Sequence, residues 1–107
     1  MYSIKKDNNI NIIRKVISQE SPESEIILFG SRASGNVTES SDYDLLVKIK
    51  KALSVTEKRT LSSRIRKQLA EKLIDSDIIV KDEAEISESL NNPGSVIKEA
   101  ILNGIRL

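Results

Sequence analysis

Between Leu28 and Ile49 the chain reads LFGSRASGNVTESSDYDLLVKI. An apolar run ends at Gly30-Ser31, ten residues intervene, and Asp42-Tyr43-Asp44 opens a second apolar run. Carboxylates are seldom set into apolar surroundings unless they are paired or bind a metal. In a strand, residues i and i+2 point to one face, so Asp42 and Asp44 present their carboxylates together. Two like charges this close raise each other's pKa unless a cation sits between them. Oxygen-only ligands suit Mg²⁺, which keeps several waters and completes its shell with substrate phosphates. Gly30-Ser31, just past a strand end, is placed to bring backbone N–H groups and a hydroxyl to a phosphate. A two-metal phosphoryl site wants a further carboxylate from another element. Asp77, at the head of the run Ile78-Ile79-Val80, supplies one.

Two other readings of the stretch fail on their own residues. Gly30 to Gly35 has the G-x-x-x-x-G spacing of a P-loop, but Asn36-Val37 follow where Lys and Ser or Thr are required. Asp42-Tyr43-Asp44 resembles the start of an EF-hand loop. Its position-6 Gly would be Val47 and its position-12 Glu would be Leu53. Each remaining piece has a bland reading as well: Gly-Ser is most often only a turn, and an Asp after Ser is commonly a cap or an Asx-turn. Their occurrence in order, at strand ends, is what carries the argument.

Composition narrows the chemistry further. The chain of 107 residues has neither Cys nor His, which excludes disulfides, thiolate or imidazole metal sites, cysteine nucleophiles and Ser-His triads. Carboxylates, Lys, Arg, Ser and backbone amides must do any work. The length suits one domain, 1–107, with a modest core. The only aromatic residues are Tyr2, Phe29 and Tyr43, so the core is aliphatic and base-stacking platforms for nucleic acid are not expected. A net charge of +1 advertises neither a nucleic-acid nor a membrane partner. No run has the length of a membrane span or the shape of a signal peptide, so the expected location is the cytoplasm.

The elements that must hold these residues are legible from periodicity. Asn8 to Glu20 reads as a helix with Asp7 as N-cap and Ile10, Ile13, Val16 and Ile17 on one face. Glu25 to Phe29 reads as a strand ended by Gly30, and Ser31 to Ser41 as turn and loop with room for one helical turn. Asp44 to Ile49 is a second strand. Ser54-x-x-Glu57 is a capping box for a helix running to about Leu73, with Leu61, Ile65, Leu69 and Leu73 on its inner face. Its six Lys and Arg residues read as a solvated outer face. Ile78 to Val80 is a third strand. Lys81 to Gly94 is acidic and polar, with a turn at Asn92-Pro93-Gly94, and a last helix spans Ser95 to Asn103 with Gly104 as its C′ residue. The expected fold is α/β: a short mixed sheet with helices packed mainly on one face.

Gly30-Ser31, ten residues, then Asp42-x-Asp44 resembles the signature of the DNA polymerase β-like nucleotidyltransferase superfamily. The form GSRASG…SDYDLLV is similar to its minimal nucleotidyltransferase (MNT) branch, whose members are commonly antitoxin partners of HEPN-domain ribonuclease toxins. The leading helix, SDIIV and IKEAILNGIRL extend the likeness over nearly the whole chain. The resemblance implies adenylyl transfer from Mg²⁺–ATP, in the antitoxin branch to a tyrosine on the toxin. It implies that Asp42, Asp44 and Asp77 hold metal, that Asp77 helps deprotonate the acceptor, and that Gly30 and Ser31 bind the triphosphate. Arg32 sits where many members carry a basic residue against phosphate charge, while Ser34 stands where the family often has a second arginine. Asp75 lies on the same strand face as Asp77, and Asp77 is preferred because the apolar run begins directly after it.

Three functional classes follow. The first is a Mg²⁺-dependent protein adenylyltransferase acting on a HEPN toxin. The second is a non-catalytic antitoxin that neutralises by occlusion, against which the costly clustered carboxylates speak. The third is an enzyme with a small-molecule acceptor, disfavoured because the chain has little surface with which to wall such a pocket. A partner protein or second subunit is the natural completion of the site, so a homo- or hetero-oligomer is expected.

Overall fold

The computed structural model describes residues 4–35 and 42–107. A single 3₁₀ turn, Ile4–Lys6, leads into helix α1, Asn8–Glu20, and the capping expectation holds: the Asp7 carboxylate accepts from the Asn9 amide. Strand β1 is Glu25–Phe29, followed by a four-residue helix α2, Ser31–Ser34. Strand β2, Tyr43–Ile49, connects through helix α3, Val55–Glu71, to strand β3, Ser76–Asp82. Helices α4, Glu83–Leu90, and α5, Val96–Asn103, precede a two-residue strand β4, Ile105–Arg106.

The sheet order is β3-β2-β1-β4. β1 runs antiparallel to β2 and β4, whereas β2 and β3 are parallel, as their joining through α3 requires. The sheet is therefore mixed. Ile10, Ile13 and Ile17 of α1 and Leu61, Ile65 and Leu69 of α3 pack with Tyr43, Leu45, Val47 and Ile49 into the larger core. On the opposite face Ile86 of α4 and Ile97 and Ala100 of α5 pack with Ile27 and Leu46. The expected layering thus holds for the two longest helices, and α4 and α5 add a smaller layer behind the sheet. Because both faces of β2 are covered, Leu45, Leu46 and Val47 are all fully buried and the strand shows no alternation there.

Four local features depart from the sequence reading. Helix α3 ends at Glu71; Leu73 turns outward with φ 62° and is 93% exposed, and Ile74 takes the core place expected for it. Helix α4 lies within the segment read as polar. Its start is a capping box of Asp82 and Glu85, and one buried residue, Ile86, is too little for a periodic signal. Lys58 of α3 ties this cap down by bonding Asp82 (3.0 Å) and Glu85. Gly104 has extended backbone (φ −76°, ψ 171°) rather than the left-handed C′ conformation. A side chain there would overlap the Ala100 carbonyl and come within 2.9 Å of the Leu28 carbonyl, so close packing explains the glycine. Strand β4, too short to leave a pattern, completes the sheet. Among the described residues no helix is long and apolar enough to cross a membrane.

Candidate active site

β1 ends where β2 begins. Phe29 is paired with Asp44, and Asp44 with Asp77 of β3. Directly paired residues on neighbouring strands share a face, so Asp44 and Asp77 stand side by side on the α4/α5 face of the sheet. Leu46 and Ile79, one step further along the same face, belong to the smaller core. The two carboxylates therefore rise from an apolar floor at the end of the sheet. Asp42 lies just before β2 and is exposed, as is Asp77; Asp44 is half-buried.

Burial pushes the Asp44 carboxyl above its usual range, and the charges of Asp77 and Asp42 push it the same way. The structure thus brings Asp42 and Asp77 both within electrostatic reach of Asp44. Asp75 precedes β3, and its carbonyl accepts from the Tyr43 amide at 3.0 Å, which starts the β2–β3 pairing. It is thus set apart from Asp44, although it lines, with Asp42, Arg66 and Ser76, a recess of about 280 Å³ at the end of the sheet.

Gly30 follows directly on Phe29 and has φ 73°, ψ −152°. That conformation is nearly reserved for glycine. Its carbonyl accepts from the Ala33 and Ser34 amides (3.2 and 3.1 Å), which forms the turn of α2 and leaves the Ser31 amide and hydroxyl outside those bonds. Ser31 is half-buried beside it. The loop at 36–41, expected to join this turn to Asp42, lies outside the described residues.

Arg32 occupies the other side of the loop. Its guanidinium lies 3.9 Å from the centre of the Tyr43 ring and 3.7 Å from an Asp7 carboxylate oxygen. Tyr43 donates to that same oxygen at 2.5 Å and accepts from the Asn9 side chain at 3.3 Å. Burial first, and then the bond to Asp7, raise the Tyr43 phenol to about 12. The sequence alone marks Asp7 only as a helix cap and gives Tyr43 no role in the site. The available signal was strand alternation, which turns a residue between Asp42 and Asp44 to the opposite, core-facing side.

What the site can do follows from its donors. All are oxygen atoms, they carry mutual repulsion that a cation would relieve, and they adjoin a glycine turn. Among the described residues no group of three or more acidic side chains is placed to hold a metal ion by itself. A divalent ion would be held here with water and substrate oxygens filling its shell, which is how Mg²⁺ is commonly bound.

Comparison with known proteins identifies the family and the fold. The family model for the nucleotidyltransferase domain matches residues 10–105. No curated protein sequence matches significantly. A toxin–antitoxin complex crystallised with AMP-PNP aligns with TM-score 0.64 at 21% identity, over 92% of this chain and 71% of that one. A complex of a tri-AMPylated HEPN toxin from Shewanella oneidensis with its MNT antitoxin aligns with TM-score 0.57 at 19% identity, over 92% and 67%. A nucleotidyltransferase-like protein from Sulfolobus solfataricus aligns with TM-score 0.56 at 29% identity, over 74% and 68%. The chain belongs to the nucleotidyltransferase domain family, and its fold is the one found in these toxin–antitoxin complexes.

Proposed function

We propose that this nucleotidyltransferase moves AMP from ATP, with Mg²⁺, to a hydroxyl of a partner HEPN-type toxin, a tyrosine in the first instance, and so acts as its antitoxin. One observation carries the reading: Asp44 and Asp77 are cross-strand neighbours, and Asp42 and Asp77 both raise the Asp44 pKa. Clustered repelling carboxylates cost stability in the free protein, and a metal-dependent reaction explains why they stand together. The likeness to complexes holding AMP-PNP and an AMPylated HEPN toxin supports ATP as donor and a toxin as acceptor.

Asp42, Asp44 and Asp77 would hold the cation, which when bound neutralises charge on the phosphates. Gly30 and Ser31 orient the triphosphate through backbone N–H groups and a hydroxyl, and Arg32 adds positive charge to the loop from behind. Asp77 is exposed at the β3 edge of the sheet, where an acceptor hydroxyl can approach, and takes its proton. The acceptor oxygen then bonds the α-phosphorus, the bridge to the β-phosphate breaks, and pyrophosphate leaves with the electron pair. Acting as one minimal domain in the cytoplasm, where ATP is at hand, the chain relies on the toxin to cover the open side of the site.

Mixing the protein with its cognate toxin, ATP and Mg²⁺ should add about 329 Da per AMP to the toxin by intact-mass spectrometry. Asp77→Ala should leave the toxin unmodified. A toxin silenced equally by wild type and by Asp77→Ala, with no mass added, would replace this reading with neutralisation by occlusion.

A further inference from the structure

We propose that Tyr43 is a positioning residue that clamps the Gly30–Ser34 turn to the carboxylate-bearing strand. The proposal rests on the reading of the site given above. Asp42 and Asp44 flank Tyr43 in the chain, so any shift of β2 that moves the ring moves the carboxylates with it. The ring is 3% exposed and points into the α1/α3 core, away from Asp44.

Three elements meet on this one side chain. Its hydroxyl holds the Asp7 carboxylate, whose second oxygen caps α1 at the Asn9 amide (3.0 Å). Its face carries the Arg32 guanidinium of α2, and Arg32 and Asp7 are themselves 3.7 Å apart, each side chain only 11% exposed. A stacked, nearly desolvated cation with a carboxylate at its edge is a directional contact, unlike aliphatic packing. A Leu would pack against the same core and hold neither partner. Satisfied polar clusters of this kind restrict a fold to one local geometry. The geometry held here is the distance from the turn to Asp44, where no side chain fits between Gly30 and the carboxylate. Misplacing a phosphate-binding turn by about 1 Å can cost about 100-fold in rate.

The test uses Tyr43→Phe, which keeps the ring and removes the tie to Asp7, and Arg32→Leu, which removes the stacked cation. In the ligand-free protein, amide hydrogen exchange at residues 31–35 should quicken at least about 10-fold in either variant, while exchange in the β2 core stays unchanged. Assayed well below each melting temperature, kcat/KM for AMP transfer should fall about 10- to 100-fold in each. The double variant should be no worse than the poorer single, since the residues act as one unit. Unchanged exchange at 31–35, or losses that multiply in the double variant, would overturn the clamp. If the wild type transfers no AMP, the adenylyltransferase reading fails, and the exchange measurement alone decides the clamp.

Discussion

Gly30 and Asp44 approach so closely that the Cα hydrogen of the glycine faces the carboxylate with no room for a methyl group. A Cβ built on Gly30 would overlap Oδ2 of Asp44 and lie 3.1 Å from its Cγ. The contact joins the Gly30 turn to the Asp44 carboxylate. Positive φ at Gly30 adds a second reason for glycine. Gly30→Val should therefore abolish ATP binding in calorimetry and destabilise the fold by about 1–3 kcal/mol. A Gly30→Val protein that melts normally and binds ATP would show that the turn is not the nucleotide site.

Asp44→Asn should separate function from stability. It keeps the shape and removes the charge that burial, Asp77 and Asp42 all disfavour. Mg²⁺–ATP binding should collapse, while the melting temperature of the metal-free protein rises by about 2–6 °C. Loss of binding together with a lower melting temperature would contradict the electrostatic account.

The same shift fixes a pH dependence. Folded Asp44 holds its proton more tightly than the unfolded chain, whose Asp titrates near 3.8. Its contribution to stability is thus greatest below that value and is lost as pH rises through the folded pKa. Denaturant titrations of the metal-free protein from below pH 3.8 upward should show this component, and Asp44→Asn should lack it.

Tyr43 gives the opposite end of the scale. Its phenol titrates near 10 when unfolded and about 12 when folded. The tie to Asp7 should be intact up to pH 10 and lost as pH climbs toward 12. Ultraviolet titration of phenolate absorbance, compared with Tyr43→Phe to isolate the residue from Tyr2, is the check.

Asp75 and Asp77 should behave differently although they lie two residues apart. Asp75 serves the β2–β3 pairing through its backbone carbonyl, which Asp75→Asn retains. That variant should keep AMP transfer within about 3-fold, while Asp77→Asn loses most of the rate. The reverse ranking in a side-by-side transfer assay would exchange their roles.

What the sequence by itself determined is what short-range geometry controls. Asp7 as cap, α1 from Asn8 to Glu20 and the Ser54–Glu57 capping box rest on contacts within about one helical turn, while β1 from Glu25 to Phe29 is marked by its apolar run and the glycine that ends it; all are found as expected. That Asp42 and Asp44 share a face is an expectation from strand alternation alone, and β2 itself begins at Tyr43. Tertiary structure decided the rest. Asp77 rather than Asp75 faces Asp44 because the parallel β2–β3 register, set by how α3 returns the chain, pairs Tyr43 with Ser76 and Asp44 with Asp77. Ile74 rather than Leu73 fills the core because α3 ends two residues before Leu73, which turns outward. Gly104 is required by the Leu28 and Ala100 carbonyls packed against it, and no local pattern announces such neighbours. The meeting of Asp7, Arg32 and Tyr43 likewise depends on three elements packing on one face, because ring stacking and charge pairing across the fold leave no periodic trace in the chain.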